Sequence, residues 1–130
     1  MVKRILIVDD TEINRRLAAA MLKRDGWETA EAHDGAAGMA RLASESFDVV
    51  LLDISMPGLN GEDVCRHIRN TPALAHLPVI AYTAHAMPEE KNQILACGFD
   101  TLLIKPISAA SLAAALAAVL PRRSRMEPGT

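Results

Sequence analysis

The chain has 130 residues, half of them hydrophobic, which suits one domain around one substantial core and leaves no room for a second. Fourteen basic against sixteen acidic residues leave a formal charge of −2, which argues against a protein built on a nucleic-acid backbone or an anionic membrane surface. No apolar run approaches the roughly 18 residues that span a bilayer. No apolar leader precedes the first strand-like segment at Lys3, and Cys65 and Cys97 are far apart without CxxC spacing, so a reduced, cytoplasmic chain is expected.

In chain order, RILIVDD (from Arg4) is an unbroken apolar run ending in two carboxylates, the pattern of a parallel strand buried on both faces. A helix is expected from Thr11, with Ile13, Leu17, Ala20 and Met21 at helical spacing and Gly26 as its stop. WETAEAH alternates and is more polar, so it reads as an edge strand against which Trp27 packs the first helix. Asp34 is a good N-cap for a second helix whose small face is Ala37, Ala40, Leu42 and Ala43. FDVVLLD is a second buried strand type, ending at Asp53 before the turn SMPGLNG. Val64 and Ile68 mark a third helix after Asn60 and Gly61. LPVIAYT reads as a buried strand ending at Thr83. Pro88 with Glu89 and Glu90 opens a fourth helix, and Gly98 closes it. DTLLIKP has the same doubly buried pattern, and Ser108 opens a fifth helix with Leu112, Leu116, Val119 and Leu120 on one face and Pro121 as its stop. The expected domain is 1–121, followed at 122–130 by a short, solvated tail carrying Arg122, Arg123 and Arg125.

Strand and helix alternate five times. Right-handed crossovers then dictate an α/β protein with a five-stranded, doubly wound parallel sheet and helices on both faces. Ligands of such sheets sit beyond the carboxyl ends of the strands, where strand order reverses. Asp9 and Asp10, Asp53, Thr83, and Lys105 with Pro106 all fall at those ends. Singly, each has a duller reading as a helix cap, loop cap, β-former or solvated lysine. Together they would bring three carboxylates, a hydroxyl and an ammonium to one edge. Clustered carboxylates repel unless a cation sits among them, and an all-oxygen set suits Mg²⁺. Lys105 and Thr83 can serve phosphoryl oxygens, so the constellation is a place for an aspartyl phosphate to form.

At these residues the chain resembles the receiver domains of two-component response regulators, the CheY-like family. ILIVDD, VLLDISMPGLNG, VIAYTA and LLIKP follow the family's blocks in order and spacing, from about Lys3 to Leu120. The resemblance implies a flavodoxin-like sheet of strand order 2-1-3-4-5. It implies that Asp53 takes phosphate from a histidine kinase or histidine phosphotransferase. Asp10 and Asp53 would ligate Mg²⁺ directly, Asp9 largely through water, and the backbone carbonyl of Ser55 would complete the set. Lys105 would pair with the phosphoryl group, the Lys105–Pro106 peptide would be cis, and Thr83 would switch toward the phosphate. Ser55 and His85 would flank the site and tune phosphate lifetime. The stretch from Ala75 to Ser108 is similar to the single-domain DivK subfamily.

One position departs from the family. Leu102, three residues before Lys105, stands where receivers usually carry the aromatic partner of the switch threonine. Tyr82, beside Thr83, points to the other face of its strand and reads as a packing or partner-contact residue. His33, His67 and His76 have no paired metal spacing and read as ordinary surface or helix residues.

The expected function is a phosphorylation-driven switch and not a turnover enzyme. Its downstream protein would dock on the fourth helix, fifth strand and fifth helix, with neither nucleic acid nor membrane as partner, and the chain would be a monomer or weak homodimer. The alternative is a phosphate-independent adaptor on the receiver fold, which Leu102 keeps open and against which the complete set Asp9, Asp10, Asp53, Thr83 and Lys105 stands. A phosphatase of the haloacid dehalogenase type would need a second aspartate where Ser55 stands, and no GxxxxGK[ST] is present for a P-loop enzyme.

Overall fold

The computed structural model describes residues 3–84 and 87–126, the last six as helical backbone. Five strands, β1 (Arg4–Val8), β2 (Glu28–Ala32), β3 (Val49–Asp53), β4 (Val79–Thr83) and β5 (Thr101–Ile104), alternate with five helices. The helices are α1 (Glu12–Arg24), α2 (Gly35–Ser44), α3 (Gly61–Asn70), α4 (Pro88–Ala96) and α5 (Ala109–Met126). All strand pairs are parallel, in the order β2-β1-β3-β4-β5. The connection from β1 runs outward to β2 and the one from β3 runs the opposite way to β4, so the order reverses between β1 and β3.

The apolar runs of β1, β3 and β4 are buried on both sides because period-two alternation sends their side chains to two separate cores. Leu6, Val8, Val50, Leu52 and Ala81 pack with Val64, Cys65 and Ile68 of α3 and Ile94 of α4. Ile5, Ile7, Leu51 and Ile80 pack with Ala18 and Leu22 of α1 and Leu112, Leu116 and Val119 of α5. Helix starts follow local chemistry. Asp34 accepts from the Ala37 amide at 2.7 Å, Asn60 from Asp63 at 2.9 Å and Ser108 from Ser111 at 3.0 Å, while Pro88 takes the first position of α4. Gly26 and Gly98 adopt positive φ just past α1 and α4, the conformation that ends a helix most easily on glycine.

Four expectations need correction. The buried face of α1 is Ala18, Ala19 and Leu22, whereas Ile13 is 77% and Leu17 44% exposed. Two apolar stripes compete on this helix; packing on the sheet takes Ala18, Ala19 and Leu22 inward, and Arg15 fits that rotation by donating to the Asp9 carbonyl at 2.8 Å and to Glu31 at 3.3 Å. In α2 the face runs through Gly35, Gly38 and Leu42, with Ala40 and Ala43 exposed, because glycine lets the helix approach Val8 closely. β5 is an edge strand with only Leu103 buried, since no strand covers its outer side. Finally, α5 continues through Pro121 to Met126. Proline removes one amide from the ladder and crowds the preceding turn, a cost of about 3 kcal/mol and not a prohibition. Trp27 packs on the core beneath α1 and α5, beside Leu116 and Leu120, so it reaches α5 as well as the first helix.

Candidate phosphoacceptor site

Asp9 follows β1, Asp53 ends β3, Thr83 ends β4 and Lys105 follows β5, so four parallel strands in register deliver all four to one edge. Among the described residues, Asp9, Asp53 and Thr83 are the buried polar side chains, and all lie here. Burying carboxylates is unfavourable without partners, and each has them. Asp9 accepts from the Thr11 amide through Oδ1 at 2.9 Å, and through Oδ2 from the Tyr82 hydroxyl and from Lys105 Nζ at 3.2 Å. Asp53 accepts from the Ser55 amide through Oδ1 at 3.1 Å and from Lys105 Nζ through Oδ2 at 3.2 Å. The ammonium thus bridges the two carboxylates, and it lies 4.6 Å from the centre of the Tyr82 ring. The Lys105 amide donates to the Thr83 carbonyl at 2.7 Å, and the Lys105–Pro106 peptide is cis.

The two carboxyls are electrostatically unlike. Burial pushes Asp53 up, the neighbouring Asp9 charge pushes it further, and Lys105 only partly offsets them, leaving its pKa raised to about 6. Burial would also raise Asp9, but hydrogen bonds from Tyr82 and Thr11 and the charge of Lys105 win, and its carboxyl falls below the ordinary range. The Tyr82 phenol, buried against these anions, is raised well above its usual value and stays a proton donor.

Asp10 is exposed at the rim, and one oxygen each from Asp9, Asp10 and Asp53 can lie within 4.8 Å of one another. Three hard anionic donors at that spacing fit a small divalent cation such as Mg²⁺. Ser55 is exposed and shares with Thr83 a cleft of about 120 Å³ that reaches Glu62 and Gln93. Leu102 pairs with Ala81 and packs, half-buried, in the core on the α3 and α4 side. His85 lies outside the described residues. His67 is exposed and His76 half-buried, both away from this edge, whereas the exposed His33 follows β2 at the same carboxyl edge, where its Nε2 lies 3.4 Å from Asp34.

Sequence reading missed Tyr82 as a site residue. It is fully buried, which rules out a partner contact, and its hydroxyl reaches Asp9. The available signal was register: Asp53 and Tyr82 are opposed across β3 and β4, so the alternation that turns Tyr82 from Thr83 turns it toward Asp53.

The response regulator receiver domain model matches residues 5–117. This chain belongs to the response regulator receiver family. The receiver is 40% identical over 107 residues to the response regulator PleD of Caulobacter vibrioides, covering 82% of this chain and 24% of PleD. It is 40% identical over 113 residues to the sensor protein GacS of Pseudomonas syringae, covering 85% of this chain and 12% of GacS. The receiver therefore spans less than a quarter of the length of these relatives. Among solved structures, the chemotaxis protein CheY4 of Vibrio cholerae superposes with a TM-score of 0.87 at 28% identity, covering 92% of this chain and all of that one. The signal receiver domain of a histidine kinase from Syntrophus aciditrophicus gives 0.86 at 28% identity, covering 99% and 98%. The receiver thus belongs to the CheY-like branch of two-component signalling proteins, in which relatives are linked to histidine kinases. Among the described residues, no helix is long and apolar enough to cross a membrane.

Proposed function

We propose that Asp53 is the phosphoacceptor of a two-component phosphorelay and that this receiver works as a binding switch. The observation that carries this reading is the bridge of Lys105 between the buried carboxylates of Asp9 and Asp53. An ammonium already held at the acceptor is placed to meet an incoming phosphoryl oxygen. In the transfer, a carboxylate oxygen of Asp53 attacks the phosphorus of a phosphohistidine on a histidine kinase or phosphotransferase. The P–N bond breaks, and its electron pair stays on the imidazole nitrogen. Lys105 and the Thr83 hydroxyl take phosphoryl oxygens. Asp9, Asp10, Asp53 and the Ser55 carbonyl would hold Mg²⁺, which when bound offsets the negative charge of the carboxylates and the phosphoryl group.

The phosphorylated state is selected by a downstream protein. Met87 at the N-cap of α4, Leu95 within α4 and Ile104 of β5 are large apolar side chains left in solvent, and they support docking on the α4, β5 and α5 face. We infer a monomer or weak homodimer with no nucleic-acid or membrane partner, acting in the cytoplasm, which its free thiols Cys65 and Cys97 suit. It is not a turnover enzyme on an outside substrate, because exposed Ser55 stands where a phosphatase of related chemistry needs a general acid.

The test is intact-mass spectrometry after incubation with acetyl phosphate and Mg²⁺, beside Asp53→Ala and an EDTA control. One added phosphate on the wild type, absent from both controls, is expected. No adduct, together with no binding of beryllofluoride, would replace this reading with a phosphate-independent adaptor, for which Leu102 is the motivating residue.

A further inference from the structure

We propose that Tyr82 is a positioning residue of the phosphoacceptor site: its hydroxyl fixes the Asp9 carboxylate for the metal, and its ring carries the Lys105 ammonium. This inference rests on the phosphoacceptor reading of Asp53.

An aliphatic side chain could fill the same volume of core, and a phenol buried there is unfavourable unless its hydroxyl finds a partner. The partner it finds is Asp9 Oδ2, the oxygen that Lys105 also holds at 3.2 Å. Lys105 has a second claim at Asp53, and a phosphoryl oxygen would make a third. When the ammonium turns to that oxygen, Asp9 loses one of its donors. Tyr82 cannot follow the lysine, because it belongs to a central strand and is 1% exposed within the core. Asp9 then keeps one donor on each oxygen, the Thr11 amide on Oδ1 and the Tyr82 hydroxyl on Oδ2. The first comes from the N-cap of α1 and the second from a central strand, so the carboxylate plane holds while the phosphoryl group comes and goes. The ring acts separately. With the ammonium 4.6 Å from its centre, it places Lys105 against both carboxylates instead of leaving a flexible stem to find them.

The competing account is a satisfied core phenol with no bearing on the site. Tyr82→Phe removes the hydroxyl and keeps the ring. Calorimetric titration with MgCl₂, without any phosphodonor, should show Mg²⁺ bound about tenfold more weakly than by wild type, the usual effect of losing a hydrogen bond to a metal-binding carboxylate. With acetyl phosphate, the variant should need more Mg²⁺ yet reach the wild-type limiting rate, whereas Tyr82→Leu, which also removes the ring, should lower the limiting rate. Tyr82 is the single tyrosine of the chain, so its ζ-carbon gives one NMR resonance in ¹³C-labelled wild-type protein. That resonance should shift with added Mg²⁺ in step with the amides of Asp10 and Asp53.

An unchanged Mg²⁺ affinity in Tyr82→Phe would overturn the proposal and leave the phosphoacceptor reading intact. If that variant does not fold, a wild-type tyrosine resonance that ignores Mg²⁺ overturns it equally. Wild type that neither binds Mg²⁺ nor takes phosphate would remove the reading on which it stands.

Discussion

A β-carbon on Gly61 would lie 2.4 Å from the carbonyl oxygen of Asp53, closer than any real contact of that kind. The first residue of α3 is pressed against the peptide that carries the acceptor, and the Gly61 amide returns to the Ile54 carbonyl at 3.0 Å. Backbone, not a pliable side chain, occupies the space. Gly61→Ala should therefore push α3 off the acceptor loop, lowering stability by about 2 kcal/mol, as overpacking does. It should also slow labelling by acetyl phosphate. Denaturant melts and timed mass spectra measure the two effects.

The acceptor itself opposes folding at neutral pH. Its folded pKa of about 6 lies above the unfolded value, so the native state binds the proton more tightly. Stability is then greatest below the unfolded pKa and falls as pH rises from about 4 to about 6. Asp53→Asn should stabilise the metal-free protein at pH 7.5, with the gain shrinking toward pH 4. Asp9, whose pKa is depressed, behaves in the opposite sense: it contributes stability above its unfolded pKa, lost as pH falls. Urea titrations of both Asn variants across this range separate the two signs.

Metal binding should carry the same signature. A divalent cation needs the Asp53 carboxylate ionised, and below about pH 6 a proton must be displaced first. The Mg²⁺ affinity of wild type should be flat above pH 7 and fall by up to about tenfold per unit well below pH 6. Calorimetry in buffers of different ionisation enthalpy would count the released proton. An affinity independent of pH from 5 to 8 would contradict the raised acceptor.

At the other end of the sheet, Arg69 serves four acceptors. It donates to the carbonyls of Gly98 at 2.9 Å, Leu77 at 2.7 Å and Ala75 at 3.1 Å, and to Asp100 at 3.0 Å. Asp100 in turn accepts from the Val79 amide at 2.8 Å. This fork ties α3 to the starts of β4 and β5. Arg69→Ala should cost about 3 kcal/mol, because it takes the Arg69 cation away from the largely buried Asp100 carboxylate. Lysine should rescue little, since a single ammonium cannot reach acceptors spread around a planar fork. Thermal melts at neutral pH test both, and phosphorylation of the folded fraction should stay normal.

The alternation of apolar runs with helical patterns was sufficient to read a (βα)5 chain, and strand ends sufficed to find Asp9, Asp10, Asp53, Thr83 and Lys105. Both signals are local: a run of Ile, Leu and Val marks a buried strand wherever it lies, and its last residue marks the sheet edge. What tertiary structure alone decided was which surfaces close on each other. Ile13 and Leu17 make as good a stripe as Ala18 and Leu22, and only the packing of α1 on the sheet, with Arg15 anchored to the Asp9 carbonyl, sends the first pair to solvent. The bond from Tyr82 to Asp9 joins residues 73 positions apart on strands separated by β3, and the bridging Lys105 comes from a fourth element. Helix rotation and cross-strand reach are set by many weak contacts acting together after the chain has closed, so no short segment encodes them, whereas strand ends and turns are written within a few residues.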